Sequence, residues 1–371
     1  MKKVCHITSA HPPGDIRIFH KECLALARAG YEVTLLVNNG HNQTREGVRI
    51  ISVSSFRSRW WRMLISPWMM YFHALGCRAA LFHLHDPELL VTGFLLKISG
   101  KKVVYDAHED TSLQIRSKYY LKPFLRRVAS GLIRKTENLA SVAFDAMVAA
   151  SEGVQQAFPA KTQPSVTLLR NYPDLREFTR RDMGGDQEAK ETPHTICYIG
   201  AISESRGLHT LLSSLDHHTA RLEMAGPCYP PALADEIRRS DPDRRILYHG
   251  MLDRDGVQKV LQRSSVGLVV LPPADNHLVA LPVKMFEYMA AGLPVIASDF
   301  PLWRQIVEGN GCGYCIGPGN AALLGATVEY LLGRDELRDE MGANGRRAVE
   351  KFYNWAVEEK RLLQLYENIT G

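Results

Sequence analysis

Lys284 and Glu287 stand three apart in residues 281–296, LPVKMFEYMAAGLPVI. On a helix that spacing puts both on one face. A lysine in a first helical turn opposes the helix dipole. The placement makes sense where an anion such as a phosphate also sits, facing free backbone N–H groups. Glu287, one turn on, can then accept hydrogen bonds from sugar hydroxyls. The plainer alternative is an amphipathic helix with an exposed Lys–Glu pair. Pro282 suits a first helical position, Gly292 the position just past the end, and Pro294 blocks continuation. Met285, Met289 and Ala290 fall on the side that faces a core.

A second phosphate-type pattern lies at residues 198–212, YIGAISESRGLHTLL. Strand, glycine, polar loop and helix follow one another. Gly200 permits close approach, the helix from Gly207 offers N–H groups, and Arg206 at its entrance can hold a phosphate with two hydrogen bonds. A third group is YDAHED at 105–110, where His108 falls just past a strand and Asp106, Glu109 and Asp110 can orient its ring or raise its pKa. A structural histidine is the alternative reading. The loop SAHPPGDIRIF at 9–19 offers Gly14 for tight backbone approach, Asp15 as helix cap or reactive carboxylate, and Arg17 as a cation. It is not GxGxxG, and the next strand ends in Asn38-Asn39 with no acid for a ribose, so a dinucleotide cofactor is disfavoured. His85-Asp86-Pro87-Glu88 forms another turn after a strand, but no distant ligand set matches it and no metal is expected. Cys312 and Cys315 make a CxxC inside a Gly-rich turn and strand; without a second CxxC it reads as structural.

The elements that position these groups read as an alternation. Short strands are expected at 4–8, 33–37, 81–84, 103–105 and 146–150, with a helix over 16–29 stopped by Gly30. Strands recur at 195–199, 221–224, 246–249, 266–271 and 294–297. Such alternation makes parallel, doubly wound sheets, whose ligands sit beyond the carboxyl ends of the strands. Residues 166–193, with prolines and the run RRDMGGDQEAKE, read as an interdomain connection. The domains expected are therefore 1–165, 194–352 and a last helical segment, 353–371. The 371 residues, 45% apolar and 23% charged, suit about two globular domains. Seven scattered cysteines and a start without a secretory core point to a reducing, cytoplasmic compartment.

PVKMFEYMAAGLPVIAS closely resembles the donor-site helix of retaining, GT-B-fold glycosyltransferases of the family-4 type. The resemblance extends over nearly the whole chain. It implies two Rossmann-like domains facing a central cleft, a nucleotide-diphosphate sugar donor bound by the second domain, and a hydroxyl acceptor bound by the first. It implies that Glu287 holds the donor ribose, that Gly200, Arg206 and Lys284 hold the diphosphate, and that His108 contacts the sugar near the reacting carbon. Gly14, Asp15 and Arg17 become the acceptor-side loop, with Arg17 meeting an acceptor phosphate. It also implies that the last helix crosses back to the first domain, and that neither cofactor nor metal is needed. Two positions depart from the family pattern. Ala201 stands where a first cation is usual, and Val279 stands where the family commonly has a glutamate, separated from Glu287 by seven residues. Backbone N–H groups of Val279, Ala280 and Leu281, or the side chains of Asn276 and His277, would then have to meet the sugar. A nucleotide-sugar epimerase of the same fold and a non-catalytic nucleotide-sugar-binding protein are the rival readings.

Residues 101–135 hold nine Lys/Arg against three Asp/Glu, and Leu121, Leu125, Val128 and Leu132 recur at helical spacing. Trp60, Trp61 and the arginines at 57, 59 and 62 form a second basic-aromatic patch. Such surfaces suit peripheral contact with an anionic membrane, or only a solvated helix. No recognition motif accompanies the charge, so nucleic-acid binding is not expected. Family habit adds surface-polysaccharide or glycolipid synthesis at the inner membrane face.

Overall fold

A computed structural model describes residues 2–38, 40–54, 59–116, 122–178, 194–239 and 244–371. The acidic-basic run at 180–191, Arg57 and Leu121 lie outside the described residues, as do the side chains of Arg59, Trp60 and Arg62. The chain divides into two compact units, Met1–Asn171 with Trp355–Gly371, and Tyr172–Asn354.

The first unit is built on β1 (Lys3–Thr8), β2 (Glu32–Asn38), β3 (Gln43–Arg45), β4 (Val48–Ser54), β5 (Leu81–Leu84), β6 (Lys102–Ala107), β7 (Ala146–Ala149) and β8 (Val166–Leu168). They form one sheet in the order β3-β4-β2-β1-β5-β6-β7-β8, parallel except for the β3–β4 pair. The second unit has β9 (Thr195–Ile199), β10 (Arg221–Ala225), β11 (Ile246–Tyr248), β12 (Val266–Val269), β13 (Val295–Ser298) and β14 (Gly313–Ile316) in the fully parallel order β11-β10-β9-β12-β13-β14. In each sheet the strand order reverses beside the first strand, β1 or β9. That reversal opens a crevice at the carboxyl ends, where this architecture binds ligands.

Strands covered on both faces by helices must be apolar on both faces. In the first sheet Cys5, Ile7, Phe82, Leu84, Val103 and Tyr105 pack toward one set of helices, with Met70, Leu90 and Ala140 among their neighbours. Val4, Leu81 and Val104 pack on the other side with Ile18, Phe19, Trp355, Leu362 and Tyr366. The last three belong to helix Trp355–Thr370 and are completely buried, which ties this final helix to the first unit. Because strand side chains alternate, His6, His83 and Asp106 share the face of Val4, Leu81 and Val104. They are buried there without exposure.

The segment expected as a plain helix over 16–29 is wound differently. Asp15 caps it, accepting from the N–H groups of Arg17 and Ile18 at 2.9 Å each. Ile16–Cys23 then takes the wider i→i+5 winding before Leu24–Arg28 becomes α-helical. Wide winding carries an extra residue per turn, and it often marks functional sites. Here Arg17, Lys21 and Glu22 all end up buried.

Candidate functional site

In the second unit the site grows from β9. Its last residue is tied to helix Val283–Ala290: the Ile199 N–H donates to Tyr288 Oη at 2.8 Å. The chain then turns at Gly200, whose φ of 126° is closed to residues with a side chain, and a Cβ there would stand 3.3 Å from Lys284 Cε and Nζ. Tyr198 donates its phenol to Ala201 O at 3.1 Å, and its ring lies under Lys284, with Nζ 3.4 Å from the ring centroid. The Lys284 Nζ is shielded from solvent, yet among the described residues it has no hydrogen-bond acceptor. Burial, then the nearby Arg206 guanidinium, push its pKa well below the usual lysine range. An ammonium so placed needs an anion. Arg206 itself is exposed at the end of the short turn Glu204–Arg206.

Two points differ from the plainest readings of the sequence. Lys284 and Glu287 do not form the exposed pair of the alternative reading: Glu287 is buried, and its Oε1 accepts from Arg254 Nη1 at 2.8 Å. Arg254 also donates from Nε to Glu177 Oε2 at 2.9 Å. The sequence carries no signal for this pairing, since the three residues come from three distant segments. Second, the N–H groups of the cap Gly207 and of Leu208, at the entrance of helix Leu208–Ser214, are engaged in the preceding turn, with Glu204 O at 3.1 Å and Ser203 O at 3.4 Å. The helix Val283–Ala290 starts one residue later than expected, with Pro282 as its cap, and Gly292 follows it at φ 73°. In the loop before it, Ala280 is occupied on both sides: its N–H donates to His277 O at 3.3 Å and its carbonyl accepts from Trp303 Nε1 at 2.8 Å. His277 is turned back onto Pro272 O at 2.8 Å. Val279 and Leu281 flank Ala280 in this half-buried loop.

In the first unit, Asp86 organises the loop after β1. It accepts from Thr8 Oγ1 at 2.7 Å and from the Ser9 and Ala10 N–H groups at 2.6 and 3.1 Å, and it pairs with His11 Nδ1 at 3.0 Å. Burial opposes its ionisation, but these donors outweigh burial and hold its pKa well below the carboxylate range. The same pairing raises the pKa of His11 against the effect of burial. His11 and His108 lie side by side, ring centroids 5.1 Å apart, both partly exposed. Asp106 is the acid that orients His108, with Oδ2 3.1 Å from Nε2. Glu109 and Asp110 are engaged elsewhere. Glu109 accepts from Gln114 at 2.7 Å, while Asp110 caps the next helix and binds Arg134 through both oxygens at 2.7 Å.

Arg17 is not presented to a ligand. It donates from Nε and Nη2 to the two Asp106 oxygens at 2.8 and 2.9 Å and from Nη1 to Leu169 O at 2.8 Å. The wide winding of its segment turns it inward. Asp15 serves as a cap, and a Cβ on Gly14 would meet nothing nearer than Arg45 Nη1 at 3.8 Å, so packing within the chain does not demand glycine there. His85, for which the sequence offers no distant ligands, does have buried neighbours in the fold: His6, Glu22 and His83 each bring one donor atom within 4.8 Å. Cys312 and Cys315 are free thiols, pushed up to about 12 by burial.

Two α/β units, each with a crevice at its strand ends, one of them holding a buried unmatched ammonium and an acid on the same helix, define a GT-B-type glycosyltransferase. Residues 180–348 match the model of glycosyl transferases group 1, and residues 17–169 match that of Glycosyltransferase Family 4. The chain belongs to the family-4 glycosyltransferases and is an enzyme of sugar transfer. It is 22% identical over 302 residues to a phosphatidyl-myo-inositol mannosyltransferase of Mycobacterium leprae, spanning 77% of this chain and 73% of that one. It is 22% identical over 194 residues to the amylovoran biosynthesis glycosyltransferase AmsK of Erwinia amylovora, spanning 49% of this chain and 47% of the other. Among solved structures it shares the fold of a sucrose-phosphate synthase from Thermosynechococcus elongatus, with TM-score 0.79, 17% identity, and 100% and 99% of the two chains covered. It also shares that of Anabaena Alr3699/HepE in complex with UDP and glucose, with TM-score 0.74, 13% identity, and 99% and 100% covered.

Proposed function

We propose that the second unit binds a nucleotide-diphosphate sugar and that the enzyme passes the sugar to a hydroxyl of a surface-polysaccharide or glycolipid precursor, with retention at the anomeric carbon. The observation that carries the donor reading is the Lys284 ammonium: buried, without an acceptor, stacked on Tyr198, beside Gly200 and within the field of Arg206. A diphosphate supplies the missing counter-charge. As the bond to the sugar breaks, Lys284 and Arg206 stabilise the negative charge that develops on the leaving diphosphate. That role is filled by side chains, and the reading invokes no metal or cofactor in the transfer. Glu287, held by Arg254 through one oxygen, accepts from the ribose hydroxyls. With Val279 in place of a carboxylate and Ala280 and His277 occupied, the sugar contacts fall to Asn276 and to the amides of Val279 and Leu281. In the first unit, His108, aligned by Asp106, is the group we assign to the transfer step.

Among the described residues no helix is long and apolar enough to cross a membrane. Helix Leu90–Ile98 contacts both helix Arg59–Gly76 and helix Pro123–Ala143. These helices expose Trp61, Leu64, Phe72, Ile98, Phe124 and Leu132, each at 60% or more. Large apolar side chains beside Arg126, Arg127 and Lys135 suit peripheral docking on anionic lipid, where a lipid-linked acceptor is met.

The test is thermal shift against UDP-, GDP-, ADP- and TDP-sugars, with wild type beside Glu287→Ala. The HepE complexes contain UDP and UDP-glucose, so uridine is the first base to try. A nucleotide sugar at ~100 times its dissociation constant adds about 2.7 kcal/mol to the wild type. The Ala variant should lose most of that gain. No stabilisation by any of the four would sink the donor reading.

A further inference from the structure

Beneath the His11–His108 pair lies a group of side chains that sugar transfer does not use. β1 and β5 are paired in register so that His6 stands directly opposite His83. His85 follows on the same sheet face, and Glu22 descends onto all three from the wide-wound segment above. All four are completely shielded or nearly so, with exposures of 0, 0, 2 and 0% for His6, His83, His85 and Glu22. Glu22 Oε2 is equidistant, at 3.9 Å, from His6 Nδ1, His83 Nδ1 and His85 Nε2. Among the described residues neither Glu22 oxygen accepts a hydrogen bond. The nearest cation, Arg17, has its Nε 3.1 Å from Glu22 Oε1 but donates it to Asp106.

We propose that His6 Nδ1, His83 Nδ1, His85 Nε2 and Glu22 Oε2 form a buried tetrahedral site for one zinc-type divalent cation. The donor set suits the ion: three imidazoles and one carboxylate are ligands zinc accepts. The size suits it too. Ligand atoms at zinc distances of about 2.05 Å stand roughly 3.3 Å apart in a tetrahedron. The His6 and His85 nitrogens are 2.9 Å apart and hydrogen-bonded to each other, a contact the ion would replace, and the three carboxylate separations of 3.9 Å would each shorten by about 0.6 Å to reach that spacing. An outer layer is also in place. A histidine that binds metal through one nitrogen usually gives the other N–H to a carboxylate or hydroxyl. His85 Nδ1 faces Asp106 Oδ2 at 3.5 Å, and His6 Nε2 faces Tyr366 Oη at 3.0 Å. His83 Nδ1, now 2.8 Å from the same tyrosine hydroxyl, exchanges that bond for the metal.

The site has no open face for substrate, so its role is structural: it joins β1, β5 and the wide-wound segment and fixes His85, whose Nδ1 lies 3.3 Å from His108 Nε2.

The full chain, purified without chelator, should carry about one equivalent of zinc by elemental mass spectrometry. After exchange, Co2+ should give the visible d–d bands of a tetrahedral N/O site. Glu22→Gln keeps the volume and removes the ligand charge; it should weaken metal binding at least tenfold and bleach the Co2+ bands. Metal-free, folded wild type with no Co2+ bands would overturn the proposal, as would zinc retained equally by wild type and Glu22→Gln. Should that variant not fold, the Co2+ spectrum of the wild type decides alone.

Discussion

Replacing Lys284 by methionine separates a binding charge from a folding charge. In the ligand-free enzyme the Lys284 amino group is buried with no acceptor among the described residues, and when protonated its stabilising contact is the Tyr198 ring at 3.4 Å. A cation over an aromatic ring contributes about 0.5–2 kcal/mol. An unmatched buried polar group costs about 1–3 kcal/mol, more when charged. Lys284→Met removes both and keeps the volume, so the ligand-free stability should hold or rise by up to about 2 kcal/mol. For a unit of this size that is a Tm change of roughly 0 to +8 °C. Nucleotide binding should move the opposite way. Truncating one partner of a buried charge pair costs about 2–5 kcal/mol, which is a loss of about 30-fold to several thousandfold in Kd. The pH behaviour follows from the depressed folded-state pKa. Between that value and the ordinary lysine range the unfolded chain binds more protons, so wild-type stability rises with pH across this window. Donor binding requires the protonated form, so affinity falls with rising pH and binding takes up a proton. Calorimetry in buffers of different ionisation enthalpy reads that uptake, and Lys284→Met should abolish it. A variant destabilised by more than about 2 kcal/mol, with nucleotide Kd within threefold of wild type, would make Lys284 a packing residue and not the partner of an anion.

Arg17→Leu should cost about 3–5 kcal/mol in denaturant unfolding, because it leaves Asp106 buried without its cation; an intact fold with only a raised acceptor KM would restore the acceptor-phosphate role. His108→Ala should lower kcat by about 10²–10⁴ with donor Kd unchanged, as a positioned group near the reacting centre does, and equal losses in donor binding would argue against that role. Phe72→Glu with Leu132→Glu should weaken binding to anionic vesicles at least tenfold, since each buried side chain of this size contributes about 1.5–3 kcal/mol; unchanged vesicle binding would remove these helices from the docking surface.

How far the fold is legible in the sequence depends on how local each signal is. The helix Val283–Ala290 announces itself within a short span, through Pro282, the apolar spacing and Gly292, and it folds within a residue of the expected limits. The strands β5 and β9 match their expected limits for the same reason: short apolar runs bounded by polar residues. β3, β4 and β8 carry no such signal, because their patterns lack an apolar run or sit beside prolines and glycines. Partnership across the fold leaves no local trace. An exposed Glu287 is the natural expectation because nothing near it in sequence suggests Arg254, which comes from another helix. A surface Arg17 is likewise what a regular helix would give, while the wide winding after Asp15 turns it onto Asp106.

The buried histidines show where a usable signal does exist. LFHLH places two histidines at alternate positions, and KVCHIT and VVYDA place one histidine and one aspartate within mostly apolar strands. A strand covered on both faces has no reason to carry polar residues at period two unless they meet one another. Once β1, β5 and β6 are neighbours in one parallel sheet, as their order shows, those positions fall on a common face. The polar face then has to be satisfied from above, and the covering segment brings Arg17 and Glu22 to it, with Tyr366 from the final helix. Arg17 answers Asp106. Arg17 also pairs with Glu22 Oε1 at 3.1 Å, but Glu22 Oε2, the oxygen that faces the three imidazoles, accepts no hydrogen bond among the described residues, and His83 Nε2 is unbonded there. The proposed cation supplies the partner that this oxygen lacks.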